Sequence, residues 1–294
     1  MAGGKTFKER FLDCVWKVLQ RILPDKPYLS LKYRVVFKKK LNWDNPKTFN
    51  EKLQWLKLYG PGREYTPYVD KLAVKKIVAD LIGEEYIIPA LGVWDRAEDI
   101  DFEQLPNQFV LKCNHDSGGV LVCRDKAGLD CKAARDKMQE SLDNNYYLMG
   151  REMPYKFIRR KIFAEQYMHD DATEDIRDYK FFCFDGEPKA MFIASDRAKD
   201  VKFDFFDNDF NHLALRQGYD NASAEPARPE NFELMKTLTS RLAAGFPHVR
   251  VDFYEVNGRV YFGEMTFFHF SGFMPFEPSP WDDIFGSWLT LPSK

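Results

Sequence analysis

Three residues in one short stretch, Asp252, Glu264 and Thr266, carry oxygens of the kind that hold a cation against phosphate oxygens, and Arg250 stands at the same spacing. The run from His248 to Phe268 reads HVRVDFYEVNGRVYFGEMTFF, two segments rich in Val, Phe and Tyr around Asn257-Gly258, which is the pattern of a β-hairpin. Strand side chains alternate between faces, so these four share a face only if the loop holds an odd number of residues. A three-residue loop, Asn257 to Arg259, with Gly258 supplying a positive φ, sets Asp252 directly across from Glu264. Facing carboxylates repel, so a cation is expected between them, and a hard divalent ion with oxygen ligands suits the pair. A carboxylate pointing into water from a sheet edge would be spelled the same way.

The elements that must position this pair lie upstream. Phe109 to Cys113 and Val120 to Cys123 read as strands around a polar, glycine-ended loop, Asn114, His115, Asp116, Ser117, Gly118 and Gly119. Backbone N–H groups of such a loop can cradle phosphate, with Lys112 at its base. It is not a Walker P-loop, since no Gly-Lys-Ser/Thr opens a helix. A helix with Asp70 as N-cap and Gly83 as stop puts Lys71 in a first turn, where the helix dipole disfavours a cation unless an anion is held nearby. Further helices are expected at 46–60, capped near Thr48 or Asn50, and at 130–147 and 229–245. Lys161 to Met168, Asp178 to Phe184 (carrying Lys180), Pro188 to Ser195 and Val201 to Asp207 read as strands. Helices followed by a strand-rich half joined by hairpins imply an α+β fold. Lysines to neutralise phosphates, loop amides to hold them and paired carboxylates to carry Mg²⁺ are together what nucleoside triphosphate chemistry needs.

Composition excludes other classes. The 294 residues are 45% hydrophobic and 16% aromatic, enough for a substantial core. The 43 basic and 45 acidic residues leave a net charge of −2, so nucleic acid is not an expected partner. Cys14, Cys113, Cys123, Cys131 and Cys183 form no Cys-x-x-Cys pair, which argues against a disulfide framework or thiolate zinc site and for a reducing compartment. Without a signal-like start or a run of eighteen apolar residues, the chain is expected in the cytosol. Residues 1–40 stand apart, with eleven Lys or Arg against three acidic residues, and Phe7, Phe11, Leu12, Val15, Trp16, Leu19, Ile22 and Leu23 recur at helical spacing up to Pro24. Such a helix either packs on its own domain with a solvated basic face, docks on a partner, or lies on an anionic membrane surface at the inner face of the cell membrane.

From about Thr48 to Pro292 the wording TFNEKLQWLKLY, DKLAVKKIV, LPNQFVLKCNHDSGG, AEQYM, RDYKFFCFDGEPK, VRVDFYEVNGRVYFGEMTF and SGFMPFEPSPWDD resembles the TupA-like branch of the ATP-grasp superfamily. The resemblance implies two α+β subdomains clasping ATP behind a helical N-terminal region. It divides the chain into a basic helical part (1–45), a helical part before the clasp (46–105), a small subdomain with phosphate loop and hinge (106–175) and a large subdomain with the metal hairpin (176–294). It implies Lys71 and Lys112 as phosphate-binding lysines and Asn114 to Gly119 as the mobile loop. Glu165, Gln166, Tyr167 and Met168 become the hinge that meets adenine, and Asp178 or Lys180 a ribose or phosphate contact. Arg250 steadies an acylphosphate, while Asp252 and Glu264 hold magnesium. Where many ATP-grasp enzymes have Glu-x-Asn, this chain has Glu264-Met265-Thr266, a weaker third ligand.

The activity so implied is ATP-dependent joining of a carboxylate to an amine, with ADP and phosphate released, in bacterial surface-polysaccharide synthesis. Substrates would be a sugar carboxylate or an amino acid, or a lipid-linked glycan met at the membrane. Two rival classes remain: a glycosyltransferase, for which Asp207-Asn208-Asp209 offers an Asp-x-Asp motif that is also an ordinary turn, and a non-catalytic scaffold that binds no ATP. His115, in the loop, reads either as a contact to phosphate or substrate or, more commonly for such a residue, as a surface histidine.

Overall fold

The computed structural model describes residues 7–171, 176–196 and 200–293, with side chains from residue 15 onward. Residues 5 and 6 and the side chains of Phe7, Phe11 and Leu12, expected on the basic helix, lie outside the described residues.

Among the described residues nine strands form two antiparallel sheets, as the α+β expectation requires. Four of them, β1 (Ala90–Trp94), β2 (Phe109–Cys113), β3 (Val120–Cys123) and β4 (Ile162–Gln166), are ordered β1-β4-β2-β3. The other five, β5 (Asp178–Phe184), β6 (Glu187–Ser195), β7 (Lys202–Asp207), β8 (His248–Val256) and β9 (Arg259–Thr266), are ordered β7-β6-β5-β8-β9. Each sheet has its own buried apolar cluster. Strand β1 escapes the sequence reading because it is a five-residue edge strand with a glycine inside.

Helices α1 (Phe7–Ile22) and α2 (Asp25–Phe37) break at Pro24; only the first was expected. α2 tolerates Pro27 because proline costs little in a helix's first turn, and it buries Tyr28, Leu29 and Tyr33 in a third small cluster. α3 (Phe49–Tyr59) begins at Thr48 with a capping box: the Thr48 hydroxyl accepts from the Glu51 N–H, and the Glu51 carboxylate from the Thr48 N–H, both at 3.3 Å. Phe49 then packs edge-on against Phe182, Phe184 and Phe285, seating the helix on the five-stranded sheet. Short α4 (Thr66–Val69) precedes α5 (Ala73–Ile82). Lys71 therefore sits in the turn between them, not in a helix's first turn as expected. Asp70 still caps α5 through Leu72 and Ala73 N–H groups at 2.9 and 3.1 Å. α6 (Cys131–Asp143), α7 (Tyr146–Gly150), α8 (Phe232–Ala243) and α9 (Pro280–Trp288) complete the set, with α8 packed across the five-stranded sheet.

The β8–β9 hairpin differs from its expected form. Its loop is two residues, Asn257 and Gly258, closed by Val256 opposite Arg259. Both have positive φ, 49° and 72°, as the tight Asn-Gly turn needs. An even loop puts Asp252 and Glu264 out of phase, and the phase is restored by a bulge: Phe253 faces Phe262, but Asp252 faces Glu264 and Arg250 faces Thr266, leaving Gly263 unpaired. The predicted pairing is observed, and its cause is Gly263. A Cβ there would come within 3.1 Å of the Asp252 carbonyl and 3.2 Å of the Tyr254 ring. Gly263→Val should therefore cost about 1–3 kcal/mol by overpacking and turn Glu264 off its face, measured as a lower urea midpoint together with loss of magnesium-dependent ATP binding.

The hairpin tip is tied outside its own sheet. Asn257 donates from its backbone to Asp170 Oδ2 (2.9 Å) and from Nδ2 to the His169 carbonyl (3.3 Å), and its Oδ1 accepts from Asp171 N–H (2.9 Å).

Candidate active site

A cavity of about 500 Å³ opens between the two sheets, within the usual range for small-molecule sites. Lys112 projects into it because β2 alternates Phe109, Leu111 and Cys113 toward the core with Val110 and Lys112 away from it. Lys71 reaches the same space from the α4–α5 turn, and Lys180, Asp178 and Glu264 reach it from β5 and β9. Val110, Val120 and Val122 give it an apolar wall.

Each cavity lysine rests on an internal acceptor. Lys71 Nζ donates to the Asp116 carbonyl, Lys112 Nζ to the Glu165 carboxylate and Lys180 Nζ to Asp252 Oδ2. Asp178 lies 3.6 Å from Lys180 Nζ. Glu165 also receives Lys75 at 2.5 Å. Burial alone would raise the Glu165 carboxyl, but Lys112 and Lys75 hold it below the ordinary value. Lys75 was not singled out in the sequence, although helical spacing places it on one stripe with Val78 and Ile82, both buried.

The cation expected between Asp252 and Glu264 is Arg250 itself. Its guanidinium donates from Nε and Nη2 to the two Asp252 oxygens, both at 2.7 Å, and from Nη2 to Glu264 Oε1 at 2.9 Å and Thr266 Oγ at 3.1 Å. The remaining Nη1 donates to His269 Nδ1 at 2.6 Å. His269 had no distinguishing signal within its run of phenylalanines. Burial would raise Glu264, yet Lys180, Arg250 and Lys71, with the Thr266 hydroxyl, hold it down at about 2. Of the carboxylate pair, Glu264 is the one that lines the cavity.

Loop 114–119 divides in a way the sequence does not show. Ser117 and Gly118 line the cavity, and Gly118 has a φ of +99°. Asn114 instead staples the loop to the start of β4, accepting from Lys161 N–H at 2.7 Å and donating to the Arg159 carbonyl at 3.1 Å. His115 is buried with Nε2 3.1 Å from the Asn144 carbonyl, which corrects its reading as a surface residue. Gly119 packs where a Cβ would meet Ser141 Oγ at 2.0 Å. These three shape the loop; they do not line the cavity. In the expected hinge, Glu165 and Gln166 still belong to the β4 ladder, and Gln166 N–H donates to the Pro89 carbonyl. Tyr167 and Met168 leave the ladder and line the cavity.

Asp207, of the Asp-x-Asp alternative, accepts from Asp209 N–H and Asn211 N–H, each at 2.9 Å, and from Asn211 Nδ2. That carboxylate closes the turn after β7.

Donor chemistry decides whether a metal suits the carboxylate pair. Among the described residues no three acidic, His or Cys side chains converge as an all-protein cage. Magnesium does not need one, since it takes one or two carboxylates and completes its octahedron with water and phosphate. Asp252 and Glu264 fit that role, provided Arg250 and Lys180 yield their hold on Asp252.

The family described as TupA-like ATPgrasp matches residues 51–290. The chain belongs to this family. The ATP-grasp fold is thereby assigned to the two sheets and the cavity between them. No curated protein matches the chain. Among solved structures, D-alanine–D-alanine ligase from Bacillus anthracis complexed with ATP is similar at 18% identity and a TM-score of 0.39, over 68% of this chain and 54% of that one. The Helicobacter pylori D-alanine–D-alanine ligase is similar at 15% and 0.43, over 82% and 69%. An L-amino acid ligase from Bacillus licheniformis follows at 11% and 0.46, over 85% and 56%. The chain thus spans little more than half the length of the first and third of these. The family assignment rests on the sequence match alone.

His248 lies beneath the site, stacked between Phe182 and Phe184, with Nδ1 2.8 Å from the Cys183 carbonyl. Burial pushes it down from 6.5 to about 4, and burial likewise lowers His269. As pH falls below 6.5 the unfolded chain takes up protons that the fold refuses, so stability drains away between about 6.5 and 4. Urea unfolding at pH 5 should show about 2 kcal/mol less stability than at pH 7 from His248, and His248→Gln should flatten that slope.

Proposed function

We propose that this TupA-like ATP-grasp protein is an ATP-dependent carboxylate–amine ligase that acts on surface-polysaccharide intermediates. The observation that carries the reading is the convergence of Lys71, Lys112, Lys180 and Glu264 on one cavity beside the Ser117-Gly118 turn. The lysines neutralise the phosphates, and the turn's amides meet phosphate oxygens. Tyr167 and Met168 offer backbone groups to the base against the valine wall. A substrate carboxylate oxygen attacks the γ-phosphorus and ADP departs. An amine then attacks the acyl carbon of the resulting acylphosphate, loses a proton and expels phosphate. Arg250, gripped by Asp252 and Glu264 behind the cavity wall, is the residue we assign to stabilising developing oxyanion charge. Asp252 and Glu264 would hold magnesium, which when bound offsets charge on the β- and γ-phosphates. Two α+β subdomains, 106–175 and 176–294, are proposed as the clasping halves, with 46–105 bracing them.

Purified protein with Mg-ATP and a panel of uronic acids and amino acids should release phosphate only when an acid and an amine are both present. Lys112→Met should weaken ATP binding by about 2–5 kcal/mol, the range for losing one side of a desolvated charge pair, read by titration calorimetry. Phosphate release that needs no amine, or undiminished ATP binding by Lys112→Met, would refute the assignment.

A further inference from the structure

The N-terminal helices carry a surface that the cavity does not use. Trp16 packs edge-on against Tyr28, ring centres 5.9 Å apart. Arg151 lies over the other side of Tyr28 and donates to the carbonyls of Gln20 and Leu23. Those contacts fix the inward side of α1. Helical spacing puts Val18 and Ile22 on the opposite side, and they are 52% and 66% exposed. On α2 the inward side is Tyr28, Leu29 and Tyr33, while Leu31 and Val35 are 38% and 44% exposed. The exposed charges along these two helices are of one sign, Lys17, Arg21, Lys26, Arg34 and Lys38 to Lys40, with Lys26 turned to Tyr59 and Trp43. Among the described side chains of residues 15–40 no acidic group is exposed, since Asp25 is half-buried against Arg151 and Tyr147.

We propose that the exposed sides of α1 and α2 dock on an anionic lipid surface, with Val18, Ile22, Leu31 and Val35 entering the headgroup boundary and the lysines and arginines meeting lipid phosphates. One exposed aliphatic residue is ordinary. Four on two successive helices, with only cations exposed beside them among the described side chains of residues 15–40, have the composition of an interfacial helix pair. Nucleic acid would use the cations but not the aliphatics. A protein partner would call for aromatic anchors, and this face presents only branched aliphatics. The cations draw the face to a negatively charged leaflet, an attraction that salt weakens. The inference stands apart from the ligase reading, because it uses none of the cavity residues.

The full chain should sediment with phosphatidylcholine vesicles containing phosphatidylglycerol about tenfold more than with phosphatidylcholine alone at low salt, and release as salt rises. Val18→Glu with Ile22→Glu should cut that binding at least about tenfold, with circular dichroism and ATP-dependent melting unchanged since both side chains face water. Equal binding to neutral and anionic vesicles would overturn the proposal, as would binding that survives the double variant. If instead the double variant changes the chain's oligomeric state without vesicles, the face joins copies of the chain and the lipid assignment fails.

Discussion

Glu264→Gln should leave the protein folded and still able to meet ATP, yet remove the magnesium-dependent part of its response. In the wild type, magnesium alone should barely shift the melting temperature. Both Asp252 oxygens are engaged by Arg250, and one also by Lys180, so the carboxylate is already neutralised. On the proposed reading, phosphates would compete for those same cations, and only then would Asp252 become available to a metal. Magnesium and ATP together should therefore stabilise by more than the sum of the two alone, reaching about 2.7 kcal/mol with ligand at a hundredfold over its dissociation constant. Glutamine keeps the shape of Glu264 and its acceptor oxygen for Thr266 and Arg250 but loses the charge held at about 2, so the synergy should vanish. A wild-type protein that magnesium stabilises equally with and without ATP would end this account.

Glu165→Ala should be among the most damaging single changes to stability. The carboxylate is buried and lies between Lys75 and Lys112. Without it two ammonium groups face each other, and Lys75, only 13% exposed along its side chain, has no solvated route of escape. Breaking a buried pair in this way costs about 3–5 kcal/mol. Adding Lys75→Met should recover much of that loss by removing the stranded charge, as judged by urea midpoints of the single and double variants. If the double variant is no more stable than Glu165→Ala, the lysine is not what the carboxylate serves.

Much of the fold can be read before any coordinates. Strands β2, β3 and β5 to β9 are aromatic and β-branched runs bounded by turn residues, so pattern and propensity agree. The Thr48 capping box is likewise local. What escapes is set by tertiary neighbours: β1 is a short edge strand, and α2 owes its position to the small cluster around Tyr28 and Tyr33. In the site, the lysines announce themselves by type and place, but loop side chains have no alternation to orient them, so Asn114 and His115 pass for ligand contacts while holding the loop's underside. The facing carboxylates were read correctly from an incorrect loop length. Both corrective signals stand in the sequence: Asn-Gly specifies a two-residue reversal, and a glycine inside β9 marks a bulge. Arg250 as the internal counter-ion could not be read, because spacing alone places it on the right face without saying where its guanidinium turns.

The three bonds from Asn257 to His169, Asp170 and Asp171 have a mechanical consequence. They clip the far end of the carboxylate ribbon to the chain that leaves Tyr167 and Met168, so the two jaws of the cleft do not part independently. Any widening of the cleft would either unfasten this peripheral latch, held by water-exposed contacts of modest strength, or swing Asp252 and Glu264 along with the segment that carries Tyr167 and Met168. One surface asparagine thus ties the carboxylate hairpin to the segment leaving the four-stranded sheet.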